Sequence, residues 1–225
     1  MPLRTIPLIT GQYYHVFNRG INKQPIFFKR REYKRALTAF QFYSFTTQKL
    51  RLSKFLLLSQ TEREGLWIQM INMNNRLVDI FCFCLMPNHF HFLLEQKIDN
   101  GISKFMSDFQ NSYTRYFNTS HRGIGSLLQG QFKAVRIEDD EQLLHLSRYI
   151  HLNPYTSFIV KDLEDLLEYP WSSFPEYVSK IETPFCNKEQ ILRQFSSPKA
   201  YKSFVFDQAN YQRELGKIKH LSLEK

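Results

Sequence analysis

The sequence has few cysteines and lacks the spacing that metal ribbons or disulfide frameworks need. Cys82, Cys84 and Cys186 are an odd number without a CxxC pair, and the first two lie in an apolar run. Such cysteines are typical of buried thiols in a reducing compartment. We therefore expect reduced cysteines and a cytoplasmic protein.

Signals for secretion and membrane insertion are also missing. The first residues lack the charged start, the apolar stretch and the cleavage site of a signal peptide. No run reaches the roughly 18 apolar residues that a transmembrane helix requires. The chain also lacks internal repeats and low-complexity tracts. These absences favour a globular protein that is not inserted in a membrane.

Acidic residues are outnumbered, and this indicates a class of partner. Thirty Lys and Arg against 21 Asp and Glu give a formal net charge of +9 at pH 7. An excess of positive charge attracts polyanions, so nucleic acid is the leading partner, although a generic basic protein also fits. With 43% hydrophobic and 16% aromatic residues, the 225-residue chain is able to bury a core.

The hydrophobic pattern predicts strands and helices in alternation. Four strands are predicted, at residues 12–17, 77–85, 89–95 and 131–137. Three helices are predicted, at residues 31–45, at 102–117, and from 139 or 140 to about 152, where Pro154 ends the helix. The order β-α-β-β-α-β-α indicates an α+β fold, a ferredoxin-like split βαβ antiparallel sheet with helices on one face.

Two segments fall outside this core. Residues 46–76 are polar and Leu-rich with weak helical periodicity, and we interpret them as an insertion. Residues 179–225 are predicted to form a basic helical C-terminal extension to a main domain of residues 1–178.

The first candidate site is the sequence Pro87-Asn88-His89-Phe90-His91. Because side chains alternate along a strand, both imidazoles are expected on one face, with Phe90 turned into the core. Two neutral imidazoles so placed could share a divalent ion. Taken alone, an H-x-H tripeptide equally fits a strand whose histidines merely pair with their neighbours.

The second candidate site is Tyr149 with Asn153. On a helix these residues are one turn apart and share a polar face with His145 and Gln142, beside a buried stripe of Leu143, Leu146 and Ile150. On spacing alone, a surface tyrosine and a helix-ending Asn-Pro explain the pattern as well.

Together these motifs resemble a known family. MPNHFHFLLE is similar to the His-hydrophobic-His motif of the HUH endonucleases in the form found in IS200-like single-tyrosine transposases. LLQGQFKAVRIEDDEQLLHLSRYIHLNP resembles their strand and tyrosine-bearing helix, and is most similar to the REP-associated tyrosine transposases. YYHVFNRGINKQPIF and SYTRYFN also resemble that branch, so the similarity covers about residues 12–173 apart from the insertion.

The resemblance assigns roles to particular residues. His89 and His91 match the metal ligands, Tyr149 matches the nucleophile, and Asn153 matches the polar residue that completes the metal site. Other tyrosines compete for the role of nucleophile. They are Tyr113 and Tyr116, near the apolar stripe of their helix, and Tyr155, which follows the proline.

The resemblance implies cleavage of single-stranded or hairpin DNA through a covalent phosphotyrosine. It also implies Mg²⁺ or Mn²⁺ as the cofactor, whereas imidazole ligands alone would suit Mn²⁺ or Zn²⁺ better. Among the many basic residues, Arg19, Lys133 and Arg136 lie in family-like motifs, and we expect them to contact DNA. Relatives act as monomers or homodimers, and the sequence decides neither this nor the target sequence. Two alternatives stay open: a non-catalytic ferredoxin-like module that binds nucleic acid, and a metal-dependent nuclease that uses water.

Overall fold

A computed structural model describes residues 7–46, 50–179 and 185–214. Its four strands are β1 (Tyr13–Arg19), β2 (Val78–Met86), β3 (His89–Gln96) and β4 (Lys133–Ile137). They form one sheet in the order β2-β3-β1-β4, and every neighbouring pair is antiparallel. This is the order of a split βαβ unit, so the predicted α+β class and ferredoxin-like sheet are confirmed.

The three predicted helices are present, with ends displaced by a few residues. They are α1 (Arg30–Tyr43), α4 (Gly101–His121) and α5 (Asp140–Thr156). The insertion contributes α2 (Leu52–Phe55) and α3 (Gln60–Met73). The C-terminal part contributes α6 (Phe174–Val178), α7 (Glu189–Leu192) and α8 (Pro198–Phe206).

The sequence predicts that α5 ends before Pro154. In the structure the helix continues to Thr156. Proline removes only one N–H from the helix, and the carbonyls next to it are still used: Asn153 O accepts from Ser157 N at 3.0 Å, and Pro154 O accepts from Ile159 N at 2.9 Å. Burial stabilises the extra turn. Tyr155 is buried there, and its hydroxyl donates to Asn210 Oδ1 at 2.9 Å.

The helices lie on both faces of the sheet. Phe90 and Phe92 point toward α1 and α4, where their rings meet Phe109 at 5.3 and 5.8 Å between centroids. His91 points the other way, toward Tyr149 of α5. The expectation of helices on one face therefore holds for α1 and α4, whereas α5 packs on the opposite face. Strand alternation decides this, because neighbouring residues of β3 must serve two cores.

The outer edge of β2 is covered by chain that follows α5. Leu85 N donates to Trp171 O at 2.8 Å, and Ser173 N donates to Phe83 O at 3.0 Å. Farther along, Asn187 N donates to Ile80 O at 2.9 Å. Unpaired backbone groups at a sheet edge invite pairing with other chains, and these contacts satisfy three such groups of β2.

The C-terminal part is packed on α5 through buried polar contacts. The Tyr201 hydroxyl of α8 lies 2.8 Å from His151 Nδ1 and donates to Ser147 Oγ at 3.1 Å. His151 Nε2 lies 2.8 Å from Ser173 Oγ. His151 and Ser147 flank Tyr149 in sequence, so α8 fixes the buried side of the turn that carries this tyrosine.

The predicted insertion is a helical layer at the edge of the core. Helix α3 begins at a capping box, in which Ser59 N donates to Glu62 Oε2 at 2.8 Å and Glu62 N donates to Ser59 Oγ at 3.3 Å. Trp67 packs on Phe45 and Phe55 at about 6 Å between ring centroids. Residues 47–49 of the insertion, and residues 180–184 and 215–225 of the tail, lie outside the described residues.

The three cysteines are free and buried, as predicted. Burial raises the pKa of Cys82 to about 12, so this thiol is protonated at neutral pH. Within the part of the chain that the structure describes, no helix has both the length and the apolar composition to cross a membrane.

Candidate active site

The turn at Pro87 and Asn88 starts β3, and the strand then places His89 and His91 on one face. Their imidazoles are 5.0 Å apart between centroids and nearly perpendicular. His91 is only 5% exposed, whereas His89 is half-buried at the mouth of the site. The structure thus brings together the two histidines that the sequence pairs.

His91 has one nitrogen engaged and one free. Its Nδ1 lies 2.9 Å from Nε2 of His15 on β1, and its Nε2 is buried without a hydrogen-bond partner. Burial holds the pKa of His91 well below its usual value, and repulsion from Arg19, and from His89 and His15 when these are protonated, acts in the same direction. The ring is therefore neutral at pH 7, which is the form that ligates metals.

His89 is arranged in the same way. Its Nδ1 lies 2.6 Å from Oδ1 of Asn88. Burial and the nearby charge of Arg19 lower its pKa to about 4, and the interaction with the Asn153 side chain opposes this shift. His89 is consequently also neutral at pH 7, and the Asn153 side chain lies beside it.

Tyr149 lies over the histidines from α5. Its ring centroid is 5.5 Å from that of His91 and 6.0 Å from that of His15, both edge-on, and the residue is 40% exposed. Burial raises its pKa above the usual value, while the Asn153 side chain and the charge of Arg19 act in the opposite direction. The phenol is thus protonated at pH 7 and partly open to a substrate.

Helix α5 is positioned by its cap and by its buried stripe. Asp139 Oδ1 accepts from Gln142 N at 2.7 Å, which fixes the first turn. Leu143 and Ile150 are buried, which orients the helix on the sheet. Asn153 is also buried, and its Nδ2 donates to the Tyr149 carbonyl at 2.9 Å. Asn153 therefore lies one turn below the tyrosine and beside His89.

His145 shares the predicted polar face but not the site. It forms a hydrogen bond with Arg148, and its ring lies 6.5 Å from that of Phe204 on α8. The structure therefore brings Tyr149 and Asn153 to the histidines and leaves His145 beside α8.

The competing tyrosines are engaged elsewhere. Tyr113 is buried between α4 and the loop before α1, where its hydroxyl donates to Ile26 O at 2.6 Å. Tyr116 lies under the guanidinium of Arg35, at 5.2 Å from its ring centroid. Tyr155 donates to Asn210. Of these tyrosines and Tyr149, only Tyr149 has a ring contact with the histidine pair.

The three basic residues that the sequence selects divide between the two faces. Arg19 ends β1 opposite His89, and Lys133 stands opposite Phe17, so both lie on the face of the histidines. Arg136 stands opposite the buried Tyr14 on the other face, where it donates to Gln12 Oε1 at 2.7 Å. Residues three apart in a strand point to opposite faces of the sheet, so the spacing of Lys133 and Arg136 in the sequence already predicts that they lie on different faces.

His15 and Phe17 also lie on the face of the histidine pair, although the sequence did not indicate them as site residues. Phe17 pairs with His91 in the sheet and packs against His15 at 4.7 Å between ring centroids. The alternation of His15 and Phe17 with the buried Val16 was the available signal. It places both on the histidine face only once the pairing of β1 with β3 is known.

The donor set fits a divalent ion with incomplete protein coordination. Among residues 7–46, 50–179 and 185–214, no group of three or more His, Cys, Asp or Glu side chains could hold a metal. His89 and His91 offer two neutral imidazoles, and Asn153 offers an amide oxygen beside them. The buried Nε2 of His91, which has no protein partner, is the atom that such an ion would satisfy.

The loop after β1 supports the turn before His89. Gly20 N donates to Asn88 O at 2.8 Å, and the amides of Ile26 and Phe27 both donate to Pro87 O. A Cβ on Gly20 would lie 2.2 Å from Gln24 O, a backbone atom. Glycine is therefore required for the close approach of these loops.

We expect Gly20→Ala to lower the free energy of unfolding by about 1–3 kcal/mol, because the backbone must shift to relieve the clash. Gly65→Ala is the matched control. Gly65 lies in α3 with nothing within 4 Å of a Cβ, so alanine should raise stability by about 0.5–1 kcal/mol. Urea unfolding measures both, and a Gly20→Ala variant as stable as the original chain would contradict the packing described.

A ferredoxin-like sheet with a histidine pair facing a tyrosine on a helix defines the architecture expected of HUH single-tyrosine proteins. Residues 61–153 match the family described as "Transposase IS200 like". This region contains the histidine pair, Tyr149 and Asn153, and the match shows that this part of the chain is similar to the IS200-like transposases. The resemblance seen in the motifs, and with it the expectation of a transposase-type enzyme, is confirmed.

A solved structure of a REP-associated tyrosine transposase bound to a REP hairpin is similar in fold. It shares 16% identical residues with this chain at a TM-score of 0.55, and the match covers 82% of this chain and 89% of that one. At this identity the similarity establishes the fold. No curated relative matches the sequence.

Proposed function

We propose that the protein is a metal-dependent DNA endonuclease and strand transferase that nicks single-stranded or hairpin DNA through a covalent link to Tyr149. The observation that carries this proposal is the contact of the Tyr149 ring with His91. His91 lies beside His89, and its own Nε2 is buried without a hydrogen-bond partner. A nucleophile and the ligands of a phosphate-activating ion are thus neighbours on one face.

The chemical step transfers a phosphoryl group. The Tyr149 hydroxyl loses its proton as its oxygen bonds to phosphorus, the bond from phosphorus to the 3′ oxygen breaks, and that oxygen takes up a proton. The product is a 5′-phosphotyrosine and a free 3′-hydroxyl, so the bond energy is kept for rejoining to another end. When bound by His89, His91 and Asn153, Mg²⁺ or Mn²⁺ supplies stabilisation of the charge that builds on the phosphate oxygens.

The residues of the site divide the remaining work. Arg19 brings positive charge, which favours both the phosphate and the ionised form of Tyr149. The neutral histidines are weak bases at pH 7, so their role is to ligate rather than to accept the proton of the phenol. Asn153 joins the two halves of the site, because it is held to the tyrosine turn and lies beside His89.

An unpaired DNA strand fits the face outside these residues. Phe17 offers a partly exposed ring, and Lys133 and Arg19 flank it with charge. Aromatic rings that stack on bases beside cations that contact phosphates are typical of single-strand binding. The REP-associated relative was solved bound to a hairpin, which supports a stem-loop as the target here.

One assay separates this proposal from the alternatives. The protein is incubated with a labelled DNA hairpin and Mn²⁺, and the products are run on a denaturing gel. A covalent protein–DNA adduct supports the phosphotyrosine mechanism. Cleaved DNA without an adduct would show a nuclease that uses water, and bound but uncut DNA would show a binding module.

The position of Lys133 predicts a salt-dependent contribution to DNA binding. Lys133→Ala should weaken binding to a single-stranded hairpin and reduce the slope of log affinity against log salt by about 0.7, the value for one phosphate contact. Arg136→Ala is the control on the same strand but the opposite face, and its slope should stay unchanged. Fluorescence anisotropy measures both, and equal losses in the two variants would contradict the proposed DNA face.

A further inference from the structure

A hydrogen bond between two imidazoles lies beneath the proposed metal site. Nε2 of His15 and Nδ1 of His91 are 2.9 Å apart, and the rings are stacked at 5.1 Å between centroids. Two ring nitrogens at this distance share one hydrogen, so one ring must donate and the other accept.

The surroundings of His91 indicate which ring donates. If His15 donated, the proton of His91 would lie on Nε2, a buried atom without an acceptor. If His91 donates from Nδ1, its Nε2 keeps a lone pair directed into the site. A buried N–H without an acceptor is rare in proteins, whereas a lone pair at this position is what a cation needs.

His89 shows the same arrangement with a partner whose orientation is fixed independently. Asn88 Nδ2 donates to Lys23 O at 3.0 Å, which turns its Oδ1 toward His89 Nδ1 at 2.6 Å. An amide oxygen only accepts, so His89 Nδ1 carries the proton and, in the neutral ring, Nε2 carries the lone pair. The two histidines therefore have equivalent neighbours on their Nδ1 sides.

We propose that His15 is a positioning residue, which accepts the Nδ1–H of His91 and so holds His91 in the tautomer that can ligate the divalent ion. The proposal rests on the proposed function of this site. Phe17 and Tyr149 pack around His15 and keep its ring in place, but neither ring offers an acceptor to His91. His15 itself touches neither the ion nor the DNA in this assignment.

Two variants test the acceptor. His15→Phe keeps a ring of similar size without the acceptor, and His15→Gln restores an amide oxygen. In metal-free protein at pH 7.5, long-range ¹H–¹⁵N NMR of the imidazoles should show His91 as the Nδ1–H tautomer in the original chain and in His15→Gln. In His15→Phe it should change to the Nε2–H tautomer that free imidazole prefers.

Metal affinity supplies the second readout. By calorimetry, His15→Phe should bind Mn²⁺ about 10–100-fold more weakly, and His15→Gln should recover most of the loss. The proposal would be overturned if His91 were the Nε2–H tautomer in the original chain. It would also be overturned if His15→Phe changed neither the tautomer of His91 nor the affinity for Mn²⁺. If His15→Phe does not fold, the tautomers of the original chain and of His15→Gln still decide.

Failure of the proposed function would look different. A protein that forms no DNA adduct under any condition would refute the endonuclease, whereas the tautomer of His91 is read without metal or DNA. An adduct-forming enzyme with His91 in the Nε2–H form would instead refute the role of His15 alone.

Discussion

His89→Ala and His91→Ala are each expected to reduce DNA cleavage at least about a hundredfold, because stabilisation of the phosphate charge by a divalent ion is worth several kcal/mol. Single-turnover cleavage of a labelled hairpin with Mn²⁺ measures the loss. Binding of the hairpin should persist, since Arg19 and Lys133 are untouched. Mn²⁺ affinity, measured by calorimetry, should fall together with cleavage.

Stability separates this loss from misfolding. His89 lies half-buried at the mouth of the site, so its removal should leave thermal unfolding nearly unchanged. His91 is buried, and alanine there should cost about 1–3 kcal/mol as a cavity opens. His145→Ala is the matched control, a histidine of α5 directed away from the site. Full cleavage by either ligand variant, or an equal loss in His145→Ala, would exclude the proposed metal site.

The sheet was predictable because its signals are local. Strand β3 alternates at period two, and the turn at Pro87 and Asn88 fixes where the alternation starts, so the shared face of the histidines followed from the sequence. The helical spacing of Tyr149 and Asn153 is equally local. The arrangement of elements then followed from their order along the chain.

The relation between elements was less accessible. The hydrophobic pattern of β3 does not predict which face of the sheet α5 covers, because both faces of this strand are apolar apart from the histidines. The extension of α5 past Pro154 depends on the contact of Tyr155 with Asn210, which lies 55 residues away in the sequence. Long-range contacts of this kind override local propensity.

His15 illustrates the same limit within the site. In the sequence it is one histidine in a strand, and its contact with His91 arises only from the register of β1 against β3. Arg136 is the opposite case. Its distance of three residues from Lys133 already placed it on the other face, and only family-like context suggested a role in the site.

Tyr149→Phe is expected to abolish the covalent adduct while leaving the fold and DNA binding intact. The change removes the hydroxyl alone, and the ring keeps its edge-on contacts with His91 and His15. A group used in the chemical step lowers the rate without lowering affinity for the substrate. Adduct formation on a denaturing gel and hairpin affinity by anisotropy measure the two effects separately.

Tyr155→Phe provides the matched control on the same helix. It removes a hydroxyl that donates to Asn210, so it should lower the free energy of unfolding by about 1 kcal/mol and leave the adduct in place. An adduct formed by Tyr149→Phe would assign the nucleophile to another tyrosine. Cleavage by Tyr149→Phe without an adduct would instead favour attack by water, and loss of DNA binding would make Tyr149 a stacking residue. Only loss of the adduct with binding preserved agrees with a nucleophile that α5 holds over the histidine pair.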